Sequence, residues 1–128
     1  MRRCSIFALP SRNEGLGCVY LEAMSSGKVA IGYRGQGIDE VIAHGKTGWL
    51  LDPDNVAPDN IAPDSVEELV NGLSTLLASP ELCNRIGRAA RQTILETFTL
   101  AHQARSLIGI YRQALAEEPR PSQQAPPL

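Results

Sequence analysis

The sequence predicts an α/β fold: a small parallel sheet interleaved with helices and continued by helices alone. Three observations predict it. Short apolar runs at residues 4–9, 29–31 and 49–51 alternate with helix-forming stretches. Eight of the eleven glycines fall between residues 15 and 48, where such a fold turns from strand to helix. Beyond residue 65 the apolar residues recur at i, i+3, i+4 and i+7, the helical spacing.

Residues 4–9 are nearly all apolar and stop at Pro10, the pattern of a strand buried on both faces. Residues 18–26 read as a helix with Gly17 at its N-cap and Gly27 just past its end. Val19, Leu21, Ala23 and Met24 supply its packing face, and Glu22 is the odd carboxylate among them. Residues 29–31 form a second strand, 38–43 a short helix before Gly45, and 49–51 a third strand closed by Asp52-Pro53. Residues 53–66 repeat a Pro-Asp start three times, which makes a turn-rich loop. The next helix carries the stripe Val66, Leu69, Val70, Leu73, Leu76 and Leu77, with Ser65 and Glu68 at capping-box spacing. Ser79-Pro80 supplies a cap and a first-turn proline for a helix with the stripe Leu82, Ile86, Ala90, Ile94 and Phe98. Thr99 caps a last helix with the stripe Ala104, Leu107, Ile108, Tyr111 and Leu115. Residues 117–128 hold four prolines and little that packs, so they read as a disordered tail.

A chain of 128 residues, a quarter of them Leu, Ile, Val or Phe, fits one domain with a core. Its net charge of −2 gives no case for nucleic acid or an anionic membrane. No apolar run approaches the ~20 residues of a spanning helix, and none resembles a signal peptide. The charge is uneven: +2 over residues 1–48, −7 over 49–84 and +3 over 85–128, with the acidic middle read as solvated surface. Cys4, Cys18 and Cys83 form no C-x-x-C and no Cys/His cluster. They read as reduced, mostly buried thiols of a cytoplasmic protein, with no disulfide framework and no metal site.

The informative stretch is PSRNEGLGCVYLEAMSSG, residues 10–27. Glu14 lies in the loop after the first strand and Glu22 about one turn into the helix. Between them Gly15-Leu16-Gly17 makes a tight turn whose amides can point outward. The helix N-terminus adds unpaired N–H groups and partial positive charge, which favour a phosphate. A carboxylate accepts hydrogen bonds from adjacent hydroxyls of a sugar. Two carboxylates beside free amides therefore suit a sugar joined to a phosphate. Spacing alone also admits a plainer reading, with Glu14 favouring the helix dipole and Glu22 on an exposed face. His44 and His102 read as surface residues without an identified partner, Lys28 as a solvated turn residue, and Trp49 as packing. Arg12 reaches a phosphate or is simply solvated.

The stretch from Phe7 to Pro53 closely resembles the C-terminal donor-binding domain of retaining glycosyltransferases of the GT-B fold, the glycosyl transferases group 1 type. The resemblance rests on P-S-x-x-E-G-x-G, L-E-A-M, G-x-x-E-V-I and G-x-T-G-W-L in order. Glu14 and Glu22 match that family's E-x7-E motif. The likeness is strong over about residues 5–52 and looser to about residue 116. It implies a partial Rossmann-like parallel sheet over residues 4–116, the C-terminal half-domain of a GT-B enzyme. It implies that Glu14, at the reacting end, contacts donor-sugar hydroxyls and is the catalytic candidate. Glu22 would hold the ribose, and the backbone of Gly15, Leu16, Gly17 and Cys18 would approach the sugar and diphosphate. The donor would be a UDP-, GDP- or ADP-sugar and the acceptor a hydroxyl, with no metal and no cofactor.

The resemblance also implies a domain truncated at its start, without the acceptor domain and without the diphosphate-binding Arg and Lys. The expectation is a glycosyltransferase fragment that binds donor weakly and is inactive by itself. The alternatives are a non-catalytic module that completes an enzyme supplied by another chain, and a truncated reading frame without activity.

Overall fold

The computed structural model describes residues 3–11, 15–52 and 63–116, the side chains of 63–65 excepted. Glu14, Arg12, most of the Pro-Asp repeat and the proline-rich tail lie outside the described residues. The chain forms β1 (Ile6–Ala8), α1 (Cys18–Ser25), β2 (Val29–Tyr33), a 3-10 turn (Gly37–Glu40), β3 (Trp49–Leu51), α2 (Pro63–Ala78), α3 (Pro80–Thr97) and α4 (Leu100–Ala116). It divides into two compact units, Met1–Phe98 and Thr99–Leu128.

In the first unit the strands form one parallel sheet in the order β1-β2-β3. Ile6 pairs with Val29, Phe7 with Ala30 and Ala8 with Ile31; Ile31 pairs with Trp49 and Tyr33 with Leu51. The ladder runs past β1 at both ends, through Val29 N–H to Ser5 O and Leu9 N–H to Ile31 O. β2 is central, and all five of its residues are buried. Strand side chains alternate between faces, so each face carries its own core. On one face Tyr20 and Met24 of α1 meet Ala30, Leu50, Ile38, Val41 and Ile42. On the other, Leu76 of α2 meets Val29, Ile31, Tyr33 and Leu51. α3 serves both: Ala90 and Ile94 join the first cluster, Cys83 and Ile86 the second. Both faces are covered around β2, as its apolar run requires, whereas β1, expected to be buried on both faces, is half-buried at Ile6 and Phe7 and exposed at Ala8, because it ends the described sheet.

Local chemistry explains the helix ends. α1 stops in a double-bonded C-terminal motif: Gly27 N–H donates to Met24 O and Lys28 N–H to Ala23 O, with Gly27 at φ 70°. Arg91 of α3 adds a hydrogen bond to Ser25 O at 2.8 Å, a cation at the helix C-terminus. Ser79 accepts from Leu82 N–H, with Pro80 opening α3. Thr99 Oγ1 accepts from His102 N–H at the start of α4.

Several expectations are corrected. Residues 38–43 hold only a 3-10 turn, which ends at Glu40, rather than a helix. α2 begins at Pro63, so Ser65 is inside the helix and cannot cap it; the Glu68 carboxylate accepts Asp52 N–H instead. Val66, Val70, Leu77 and Phe98 belong to apolar stripes yet are exposed. Of the thiols only Cys83 is buried; Cys18 is exposed and Cys4 intermediate. His44 is exposed but not without partners. Its Nδ1 lies 3.1 Å from Leu50 N and its ring packs on Trp49.

Candidate functional site

The site forms where β1 and β2 end. Both strands run the same way, so the segments that follow them emerge on one edge of the sheet. The hydroxyl of Tyr20 bonds Leu9 O, and its ring meets Phe7 edge-on at 5.8 Å, tying the exit of β1 to α1. Gly17 then turns the chain into α1 with φ 63°, a left-handed conformation that a side chain resists. It has no side-chain cap, and the first turn of α1 holds no acidic residue. First-turn amides of an α-helix have no acceptor four residues back; Tyr20 N–H donates to Gly17 O at 2.9 Å, so Cys18 N–H and Val19 N–H are the amides of this end suited to an anion.

Gly15, Leu16 and Cys18 are exposed and Gly17 is half-buried. Glu22 is exposed on α1, and among the described residues nothing bonds its carboxylate. Tyr20, Ala23 and Met24 are the buried residues of α1. Glu22 therefore projects from the same helix on a face that the core does not use. The sequence-derived candidates Gly15, Leu16, Gly17, Cys18 and Glu22 thus belong to one loop and one helix. Glu14, the catalytic candidate that the family resemblance implies, is outside the described residues.

A second glycine segment, Gly35-Gln36-Gly37, follows β2. With Asp39 and Glu40 it lines a cavity of about 440 Å³. It touches the first: a Cβ added to Gly37 would lie 2.6 Å from Gly15 O and 2.9 Å from Leu16 N. Its position is held by charge. Asp39 Oδ2 accepts Gly35 N–H at 3.0 Å, Arg34 Nη1 stands 3.9 Å from Asp39 Oδ1, and Arg34 Nε lies 3.0 Å from Asp52 Oδ1. Asp52 N–H in turn donates to both oxygens of Glu68. Sequence reading did not find Arg34, Asp39, Asp52 and Glu68 as a set. They are spread over 35 positions, and only the packing of β2, β3 and α2 joins them. Among the described residues no group of three or more His, Cys, Asp or Glu is placed to hold a metal.

The family model described as glycosyl transferases group 1 matches residues 1–93. The chain belongs to the glycosyl transferases group 1 family. The alpha-maltose-1-phosphate synthase of Mycolicibacterium smegmatis is 36% identical over 112 residues, covering 88% of this chain and 28% of the relative. Sucrose-phosphate synthase from Thermosynechococcus elongatus superposes with a TM-score of 0.75 at 25% identity, over 90% of this chain and 26% of that one. Anabaena Alr3699/HepE, solved in complex with UDP and glucose, gives 0.72 at 22% identity, over 86% and 28%. The fold is that of the GT-B glycosyltransferases, and the chain spans about a quarter of the length of these relatives. Within this group 1 chain, the matched residues contain both glycine loops and both glutamates of the E-x7-E motif. Among the described residues no helix is long and apolar enough to cross a membrane.

Proposed function

We propose that this chain carries the donor side of a retaining glycosyl transfer, from a nucleotide sugar to an acceptor hydroxyl. One observation carries the reading. The N-terminus of α1 opens at the carboxyl edge of a parallel sheet, beside two touching glycine loops, with the exposed Glu22 carboxylate, which nothing bonds among the described residues, on the same helix. Ligands of open α/β sheets bind at that edge. The amides at Gly15, Leu16, Gly17 and Cys18 face the diphosphate and sugar, Glu22 takes the ribose hydroxyls, and Glu14 takes hydroxyls of the transferred sugar. Oriented amides and a helix N-terminus stabilise charge that develops on the leaving diphosphate. A UDP-sugar is the donor favoured here, since HepE is a structural relative solved with UDP.

The same residues support weak binding without turnover. Among the described residues, the cation that follows a strand at this edge is Arg34, and it is already paired with Asp39 and Asp52. A diphosphate leaving group needs more positive charge than one helix terminus supplies.

The test is titration of the chain with UDP and UDP-glucose, followed by a transfer and hydrolysis assay. Saturable UDP binding, lost in Glu22→Ala at unchanged melting temperature, is the expected result. Absence of binding, or binding that ignores Glu22→Ala, overturns the donor reading. Robust turnover abolished by Glu14→Ala overturns the claim of inactivity. A second reading, a module that completes a sheet supplied by another chain, is favoured by β1, which has one sheet neighbour among the described strands.

A further inference from the structure

We propose that Arg34 and Asp39 are positioning residues for the 15–17 loop. They act through the second glycine segment, whose Gly37 seats the backbone of Gly15 and Leu16. The consequence for ligand binding rests on the donor reading above; the coupling between the two loops does not.

Gly35-Gln36-Gly37 is held locally by one backbone bond, Asp39 N–H to Gln36 O at 2.9 Å, where Gly37 opens the 3-10 turn. Gly35 adopts φ 71°, and nothing lies within 4 Å of a Cβ placed there. Its far end is fixed, because Ile38 is fully buried in the core. Its near end is fixed by Arg34, whose N–H donates to Leu51 O at 2.8 Å as a continuation of the ladder. Between these anchors the carboxylate of Asp39 reaches back to Gly35 N–H, and the guanidinium of Arg34 bridges Asp39 and Asp52. A guanidinium offers several donors in a rigid fork and can serve two carboxylates in one geometry. The three charged side chains are all at least one-third exposed, so their effect on global stability is small. What they define is where Gly37 stands. Because Gly37 already leaves no room for a methyl against Gly15 and Leu16, a shift of the second loop is passed directly to the first.

The experiment uses the full chain, ¹⁵N-labelled, with UDP as the probe. Arg34→Ala should move the amide resonances of Gly15, Leu16 and Gly17, leave those of α3 in place, and weaken UDP binding about three- to tenfold, as a distortion of roughly 1 kcal/mol does. Asp39→Asn, which keeps an acceptor for Gly35 N–H, should move them less than Asp39→Ala. Gly37→Ala displaces the first loop from the other side and should move the same three resonances. Arg85→Ala, on the exposed surface of α3, should change none of them. Wild-type positions for Gly15–Gly17 in both Arg34→Ala and Asp39→Ala overturn the proposal. So does a shift spread evenly over the core with a lowered melting temperature, since that is what a merely structural role produces. If the wild-type chain binds no UDP, the donor reading fails, and the three amide resonances still decide the coupling.

Discussion

Cys18 and Cys83 are the same residue type in opposite settings. Cys18 is exposed at the first residue of α1, in the proposed donor seat, whereas Cys83 is buried and donates to Leu76 O at 3.2 Å. Iodoacetamide should therefore label Cys18 well before Cys83, and UDP should slow only the Cys18 reaction; peptide mass spectrometry reads both. Burial raises the Cys83 thiol above its ordinary pKa of 9.0. A folded-state pKa above the unfolded value contributes stability that is present below 9.0 and lost as pH rises through the folded value. The melting temperature of the wild type should thus fall more steeply above pH 9.0 than that of Cys83→Ala. At this scale the sequence singled out a small set around α1, which the structure keeps on one loop and one helix, because glycine turns and a lone carboxylate on an apolar helix are local signals. It did not distinguish an exposed thiol from a buried one, because burial is decided by neighbours distant in sequence.

Elements meet where side chains are absent. A Cβ on Gly87 would lie 2.2 Å from Gly27 O, so α3 crosses the end of α1 at backbone contact. Gly87→Ala should destabilise by about 1–3 kcal/mol despite its better helix propensity, since overpacking at a backbone contact outweighs propensity; urea unfolding measures it. Leu76 and Leu77 make the same point by contrast. Both sit in the apolar stripe of α2, but Leu76 is fully buried and Leu77 is 68% exposed. Leu76→Ala should cost about 2–5 kcal/mol, and Leu77→Ala no more than roughly 0.5 kcal/mol. Helical periodicity located α2, α3 and their apolar faces. It overstated how wide the buried face is, because a stripe of six residues wraps further round a helix than one sheet can cover.

The molecule as a whole is uneven in how firmly it is held. In the unit Met1–Phe98, α3 feeds both cores. In the unit Thr99–Leu128, α4 has no buried residue, and Leu100, Leu107, Ile108, Ile110, Tyr111 and Leu115 are exposed. Gly109 in its interior weakens it further, by about 1 kcal/mol relative to alanine. A helix of this length with no buried residue of its own is marginal in water. Amide hydrogens of residues 104–116 should therefore exchange far faster than those of 86–97, which hydrogen–deuterium exchange with mass spectrometry resolves.

By itself the sequence determined the alternation of strand and helix, the cap residues of α3 and α4, and the local group Gly15, Leu16, Gly17, Cys18 and Glu22. Those features are encoded within a turn or two of chain, in side-chain period, glycine φ and capping chemistry. Only the tertiary structure decided that Gly37 leans on Gly15 and that Arg34 ties Asp39 to Asp52. It also decided which apolar residues of each stripe are buried. Those facts arise when parallel strands far apart in sequence are brought side by side, and no local pattern encodes which residues then meet.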